Sequence, residues 1–152
     1  MPSIIDASHV LFDCPATSCD EALAYIADKA CELGLASDEE AVLSALRARE
    51  AEGSTGMMNG FAIPHCLCSA VATPSVLVVK FAGKVDWKTM DQAEVRVAIA
   101  LLIPDDGVGT EHLRLLSKIA VLLMHEDFCA KVSASSSATE IAAAIEEGVA
   151  KA

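Results

Sequence analysis

The stretch from Val95 to Ile103 constrains the fold of this 152-residue chain more than any other feature. After Arg96, both alternating sets of side chains are apolar, and β-branched residues are frequent. A strand with this pattern must be covered by other elements on both of its faces. The β-branched run from Val76 to Phe81 indicates a second strand.

Helical patterns lie on both sides of these strands in the sequence. Two capping boxes, each a serine followed three residues later by glutamate, precede apolar residues at helical spacing. Helices are predicted after Ser18 and Ser37, from near Thr110, and over residues 126–134 and 138–149. Strands in the middle with helices at both ends predict a single α/β domain, a three-layer α/β/α sandwich around a mixed sheet.

Charge and hydropathy exclude several classes of protein. The net charge of −11, without any basic run, is unfavourable for binding nucleic acid or an anionic membrane surface. The apolar runs are far shorter than the ~20 residues that a membrane-spanning helix needs. Because the first residues also lack the pattern of a secretory signal, we expect a cytoplasmic chain whose six cysteines are free thiols.

The segment of residues 54–79, called the neutral segment here, contains no Asp, Glu, Lys or Arg. Gly56, Gly60 and Pro64 divide it into turns and short extended pieces. Pro64 holds the residue before it extended, so His65 should stand at the end of a short strand. A neutral, glycine-containing segment with apolar side chains favours a contact surface or a site.

Arg49 and His112 are the other candidate site residues. The apolar stripe of the second helix places Arg49 on its inward face in the last turn, where a guanidinium needs an anionic partner or a route to water. His112 falls on the buried face of the third helix in its first turn, where free N–H groups favour a phosphate or a carboxylate. Together with His65 they would form an anion site.

Structural roles remain open for all three residues. His65 and His112 could be hydrogen-bonded core histidines, and Arg49 could bind the last carbonyls of its helix. His9 and His125 are interpreted as a structural residue and a surface residue.

The sequence His65-Cys66-Leu67-Cys68 contains zinc-ligand types, but their spacing argues against a metal site. Neighbouring residues of an extended chain point to opposite sides, and no second Cys/His pair follows at ligand spacing. The same geometry disfavours a Cys–His nucleophilic pair. Glycine motifs for nucleotides are also missing, so neither a metal nor a cofactor is predicted.

The residues from Arg49 to His65, REAEGSTGMMNGFAIPH, resemble the active-site segment of the fructose/mannitol-type EIIA domains of the bacterial phosphoenolpyruvate:sugar phosphotransferase system. Val85-Asp86-Trp87 and Glu111-His112-Leu113 resemble later landmarks of that family. The resemblance extends over about residues 9–148, and it implies one EIIA-type domain over residues 1–152 with a mixed five-stranded sheet.

The resemblance also implies a function, that of a phosphotransferase acting as a phosphohistidine carrier. His65 would accept a phosphoryl group from phospho-HPr and pass it to a cysteine of an EIIB component, coupled to sugar uptake through the EIIC permease. His112 would be the second active-site histidine and Arg49 would support the phosphate. The alternatives are a nitrogen-related regulatory EIIA that is phosphorylated but acts by binding other proteins, and an interaction module in which His65 is inert.

Overall fold

A computed structural model describes residues 4–105 and 110–151 of the chain, with the side chains at 110–113 and 151 left out. Its sheet contains β1 (Val10–Cys14), β2 (Phe61–Ala62), β3 (His65–Cys68), β4 (Ser75–Val85) and β5 (Val95–Pro104). The order is β1-β4-β5, and β2 and β3 both pair with the far side of β5. β4 and β5 are antiparallel and the other pairs are parallel, which confirms the mixed five-stranded sheet.

Five helices cover the two faces of this sheet: α1 (Cys19–Glu32), α2 (Glu39–Glu52), α3 (Thr110–Leu122), α4 (Glu126–Ala134) and α5 (Ala138–Lys151). The core has two clusters. Ala98 and Leu102 of β5 pack on the side of α1 and α2, whereas Ile99 and Leu101 pack on the side of α3, α4 and α5. The three-layer sandwich predicted from the doubly apolar strand is therefore confirmed.

The first two helices begin at side-chain caps. The Ser18 hydroxyl accepts the N–H of Glu21 at 3.2 Å, as the capping box predicts. The second helix begins one residue later than predicted, because Asp38 and not Ser37 is its cap. Ser37 is already engaged, since its N–H and its hydroxyl both donate to the carbonyl of Ala70, at 2.9 and 3.3 Å.

Both edges of the sheet are irregular. In β1, Asp13 has a φ of 57°, and the pairing with β4 shifts register between Leu11 and Cys14. At the other edge, Ile63 and Pro64 separate β2 from β3, and the Pro64 carbonyl accepts the N–H of Leu101 at 3.0 Å. The interruption makes His65 the first residue of β3 and sets the position of the candidate site.

Candidate functional site

His65 is 9% exposed, and its hydrogen bonds define the state of its ring. Its Nδ1 lies 2.8 Å from the carbonyl oxygen of Ile63. Because a carbonyl oxygen can only accept, Nδ1 carries the proton, and in the neutral ring Nε2 holds the lone pair. The structure therefore selects the Nδ1–H tautomer of His65.

Arg49 contacts that same Nε2 from the last turn of α2. Its Nε donates to His65 Nε2 at 3.1 Å, and its Nη1 donates to the carbonyl of Gly53 at 2.8 Å. Arg49 thus faces His65 and also binds a carbonyl at the end of its helix, and its role toward an anion stays a prediction. A fixed positive charge lies beside the ring nitrogen that holds the lone pair.

His112 lies in the first turn of α3, as predicted, because that helix runs Thr110–Leu122. Its side chain lies outside the described residues, so its role stays a prediction. The other two histidines have the places that the sequence suggested. His9 is buried and donates from Nδ1 to the carbonyl of Val76 at 3.0 Å, and His125 is exposed at the N-cap of α4.

Sequence reasoning missed the part played by Glu50, the neighbour of Arg49. Its carboxylate accepts three hydrogen bonds: from the Thr55 N–H at 2.8 Å, from the Thr55 hydroxyl at 2.6 Å and from Trp87 Nε1 at 3.2 Å. Thr55 and Trp87 are both buried. A glutamate at the end of a helix is usually solvent-exposed, so the pattern gave no reason to expect these bonds. The one sequence signal for a role of Glu50 was its place beside Arg49 in the segment that resembles the EIIA family.

The neutral segment is also attached to a loop formed by residues 86–91. The bonds run from the Ser54 hydroxyl to the Lys88 carbonyl, from the Met90 N–H to the Met57 carbonyl (3.0 Å) and from the Asn59 N–H to Asp91 Oδ2 (3.1 Å). Hydrogen bonds from the N–H groups of Asn59 and Ala93 lower the pKa of the Asp91 carboxyl. Two segments far apart in the sequence therefore support the site together.

Two glycines make this arrangement possible. A Cβ on Gly56 would lie 2.1 Å from the carbonyl oxygen of Lys88, so only glycine fits between the neutral segment and the 86–91 loop. Gly60, with φ of 82°, follows Asn59, with φ of 62°, in a tight turn closed by a bond from the Phe61 N–H to the Met58 carbonyl. Asn-Gly is the dipeptide best suited to two successive positive φ values.

The two cysteines after His65 belong to the core and not to the site. Cys66 and Cys68 pack in the cluster under α1 and α2, while Leu67 between them is 40% exposed. Burial raises the pKa of Cys66 to about 12, so it is a protonated thiol at neutral pH. Within residues 4–105 and 114–150, no three His, Cys, Asp or Glu side chains come together as a metal would require.

Apolar side chains are exposed on the neutral segment and on the 86–91 loop bonded to it. Leu67 on β3 is 40% exposed, Met90 on the 86–91 loop is 66% exposed, and Met57 and Met58 are half-buried. A contact surface, one of the two roles predicted for the neutral segment, would use exposed apolar side chains of this kind, and that role stays a prediction. Among the described helices, none has the length and hydropathy to cross a membrane.

The family model described as "Phosphoenolpyruvate-dependent sugar phosphotransferase system, EIIA 2" matches residues 3–148. The fructose-specific EIIA component of Haloferax volcanii is 37% identical over 113 residues, which cover 74% of this chain and 72% of that protein.

Experimental structures of other proteins share the fold, and two of them are compared with this chain. The nitrogen regulatory protein IIA-Ntr of Neisseria meningitidis matches with a TM-score of 0.84 and 28% identity, covering 93% of this chain and 96% of that one. The mannitol enzyme IIA of Escherichia coli, in complex with phosphorylated enzyme IIB, matches with a TM-score of 0.74 and 16% identity. The match covers 97% of this chain and 98% of that one. Because the family model covers nearly the whole length, the chain belongs to the EIIA 2 family of the phosphoenolpyruvate-dependent sugar phosphotransferase system.

Proposed function

We propose that this chain is a cytoplasmic phosphocarrier in which His65 Nε2 accepts a phosphoryl group from phospho-HPr and passes it to a cysteine of an EIIB component. Through EIIB and the EIIC permease this transfer would drive sugar uptake and phosphorylation. The observation that carries the proposal is the hydrogen bond from His65 Nδ1 to the Ile63 carbonyl, which places the ring proton on Nδ1 and the lone pair on Nε2.

The transfer consists of two displacements at phosphorus. In the first, the Nε2 lone pair forms a bond to phosphorus while the bond between phosphorus and HPr breaks and its electrons return to HPr. In the second, the EIIB thiolate attacks the same phosphorus, and the electron pair of the N–P bond returns to Nε2. The Nδ1 proton stays on the ring throughout, held by Ile63.

Arg49 is suited to stabilise the transferred group. Once Nε2 is bonded to phosphorus it can no longer accept from Arg49 Nε, which lies 3.1 Å away in the unphosphorylated chain. The guanidinium is then available to the phosphoryl oxygens, for which its fork of N–H donors is well matched. We assign the second contact to His112, from its place in the first turn of α3. Phosphoryl transfer depends mainly on such positioning and charge stabilisation.

Phosphorylation of purified variants by phosphoenolpyruvate, enzyme I and HPr tests the proposal. We expect no labelling of His65→Ala, because the attacking nitrogen is gone, and normal labelling of the control His125→Ala, which removes an exposed histidine. Arg49→Ala and His112→Ala should each slow transfer to EIIB by about 10²–10³, the usual effect of removing one donor to a developing charge. Arg47→Ala is the matched arginine control, since Arg47 is exposed and paired with Asp20. Labelling of His65→Ala at the wild-type rate would contradict the assignment.

A regulatory role is the second candidate, favoured by the likeness to IIA-Ntr of Neisseria meningitidis. In that case His65 would be phosphorylated in the same way, but binding to other proteins would change with phosphorylation and transfer to EIIB would fail. Incubating the labelled chain with purified EIIB separates the two roles.

A further inference from the structure

We infer that Glu50 is a positioning residue for phosphoryl transfer, which supports the Nδ1–H tautomer of His65 through Thr55 and Ile63, beside the direct contact of Arg49 with Nε2. This inference rests on the proposed function, and it concerns a residue whose carboxylate is hydrogen-bonded to Thr55 and Trp87.

A continuous series of hydrogen bonds joins Glu50 to the His65 ring. The carboxylate accepts from the Thr55 N–H at 2.8 Å and from the Thr55 hydroxyl at 2.6 Å. The Thr55 carbonyl accepts the N–H of Ile63 at 2.9 Å, and the Ile63 carbonyl accepts the Nδ1–H of His65 at 2.8 Å. Glu50 therefore holds the residue that places the Ile63 carbonyl under Nδ1.

The series has few ways to relax. Thr55 is 5% exposed and Ile63 is 3% exposed, so their polar groups cannot exchange a lost partner for bulk water without further opening. The indole N–H of Trp87 donates to the same Glu50 carboxylate at 3.2 Å and holds it from the side of the 86–91 loop. A carboxylate has enough lone pairs for all three donors.

The last turn of α2 thus acts on both nitrogens of the imidazole. Arg49 reaches Nε2 directly at 3.1 Å, and Glu50, the next residue, acts on Nδ1 through the series. Because the guanidinium can only donate, Arg49 favours the Nδ1–H tautomer too, and a shift of the Ile63 carbonyl would remove one of the two contacts that favour it. A ring protonated at Nε2 instead has no lone pair on that nitrogen and cannot attack phosphorus through it.

Three variants separate positioning from plain stabilisation: Glu50→Ala, Glu50→Gln and the control Glu52→Ala, which removes an exposed glutamate from the same helical turn. Two readouts are needed: the ring-nitrogen chemical shifts of neutral His65 in ¹⁵N NMR and the rate of phosphorylation by phospho-HPr. Both are taken well below the melting temperature of each variant, so that loss of stability alone changes neither.

For Glu50→Ala we expect an Nε2–H population that the wild type lacks and a rate about 10-fold lower, the equivalent of one lost hydrogen bond. Glu50→Gln should stay within about threefold of wild type. Its amide oxygen can accept from the Thr55 and Trp87 N–H groups, and its NH₂ can donate to the Thr55 hydroxyl oxygen. If Glu50→Ala does not fold, Thr55→Val takes its place; it keeps the N–H bond to Glu50, removes the hydroxyl bond, and should slow transfer about threefold.

If Glu50→Ala melts at a lower temperature but keeps the wild-type tautomer and rate, the inference is overturned. It is also overturned if the tautomer of Glu50→Ala changes while its phosphorylation rate equals that of the control Glu52→Ala. Failure of the proposed function looks different. In that case wild-type His65 would not be labelled at all, while the NMR measurement would still show whether Glu50 sets the tautomer.

Discussion

Replacing Gly56 by alanine should separate the neutral segment from the 86–91 loop. The added Cβ would lie 2.1 Å from the carbonyl oxygen of Lys88 and 2.9 Å from Thr89 Cγ2. Its nearest neighbour is backbone and cannot rotate away, so the two segments must move apart by about 1.3 Å to reach an ordinary contact of 3.4 Å. Because Gly56 does not have a positive φ, alanine meets no backbone strain, and the whole effect is steric.

The size of the effect follows from the bonds that cross this contact. A movement of that size would break the bond from the Ser54 hydroxyl to the Lys88 carbonyl and the bond from the Met90 N–H to the Met57 carbonyl. At about 0.5–1.5 kcal/mol each, with some loss of packing, the free energy of unfolding should fall by about 2–3 kcal/mol. For a domain of this length that lowers the melting temperature by about 5–10 °C.

Urea denaturation of the Gly56→Ala and Gly83→Ala variants measures this loss in the free energy of unfolding. Gly83 is the matched control, because a Cβ there meets no atom within 4 Å and its φ is not positive. Gly83→Ala should therefore stay within about 0.5 kcal/mol of wild type. Equal stability of the two variants would refute the steric argument and the attachment of the two segments.

Three further predictions concern pH and thiols. The folded-state pKa of Asp91 is below its ordinary value of 3.8, so its ionised carboxylate adds stability above pH 3.8 that is lost as the pH falls through the lower folded-state value. The difference in urea midpoint between wild type and Asp91→Asn should therefore be larger at pH 5.5 than at pH 3. Asp105→Asn, which changes an exposed aspartate, is the control. An equal difference between wild type and Asp91→Asn at both pH values would contradict this prediction. Because burial raises the pKa of Cys66 to about 12, iodoacetamide at pH 8 should modify it only after denaturation. The double variant Cys66→Ser/Cys68→Ala should accept phosphoryl groups at a rate within a few-fold of wild type, with or without a chelator. Stoichiometric zinc in the purified wild type, together with its loss in the double variant, would instead support a metal site.

The sequence predicted the layers of the fold well because single residues carry that information. The apolar side chains on both faces of β5, such as Ile99 and Leu102, already require helices on both sides of the sheet. The Ser18 hydroxyl caps α1, as the spacing of Ser18 and Glu21 predicts. The start of α2 was predicted one residue early, because no local pattern shows that the Ala70 carbonyl, 33 residues away, takes both donors of Ser37. Strands as short as β2 and β3 become strands only by pairing with β5, which local propensity cannot show.

The candidate site was predicted in part for similar reasons. The helical stripe pointed Arg49 inward, but its 3.1 Å contact with His65 Nε2 depends on how α2 packs against β3. The tautomer was beyond sequence reasoning, since it depends on the Ile63 carbonyl. Glu50 was missed because its partners, Thr55 and Trp87, come from two different segments and meet only in the folded chain.

The irregular edges of the sheet have a consequence for how the chain behaves at high concentration. β4 and β5 are 11 and 10 residues long and largely apolar, and strands of this kind readily add foreign strands when they are exposed at an edge. Here both are central, and neither edge is a flat template: Asp13 distorts one, and Pro64, which has no N–H to donate, divides the other. In the proposed role of a phosphocarrier, the chain would bind and release other proteins repeatedly, and these irregular edges would let it expose apolar side chains without edge-to-edge aggregation.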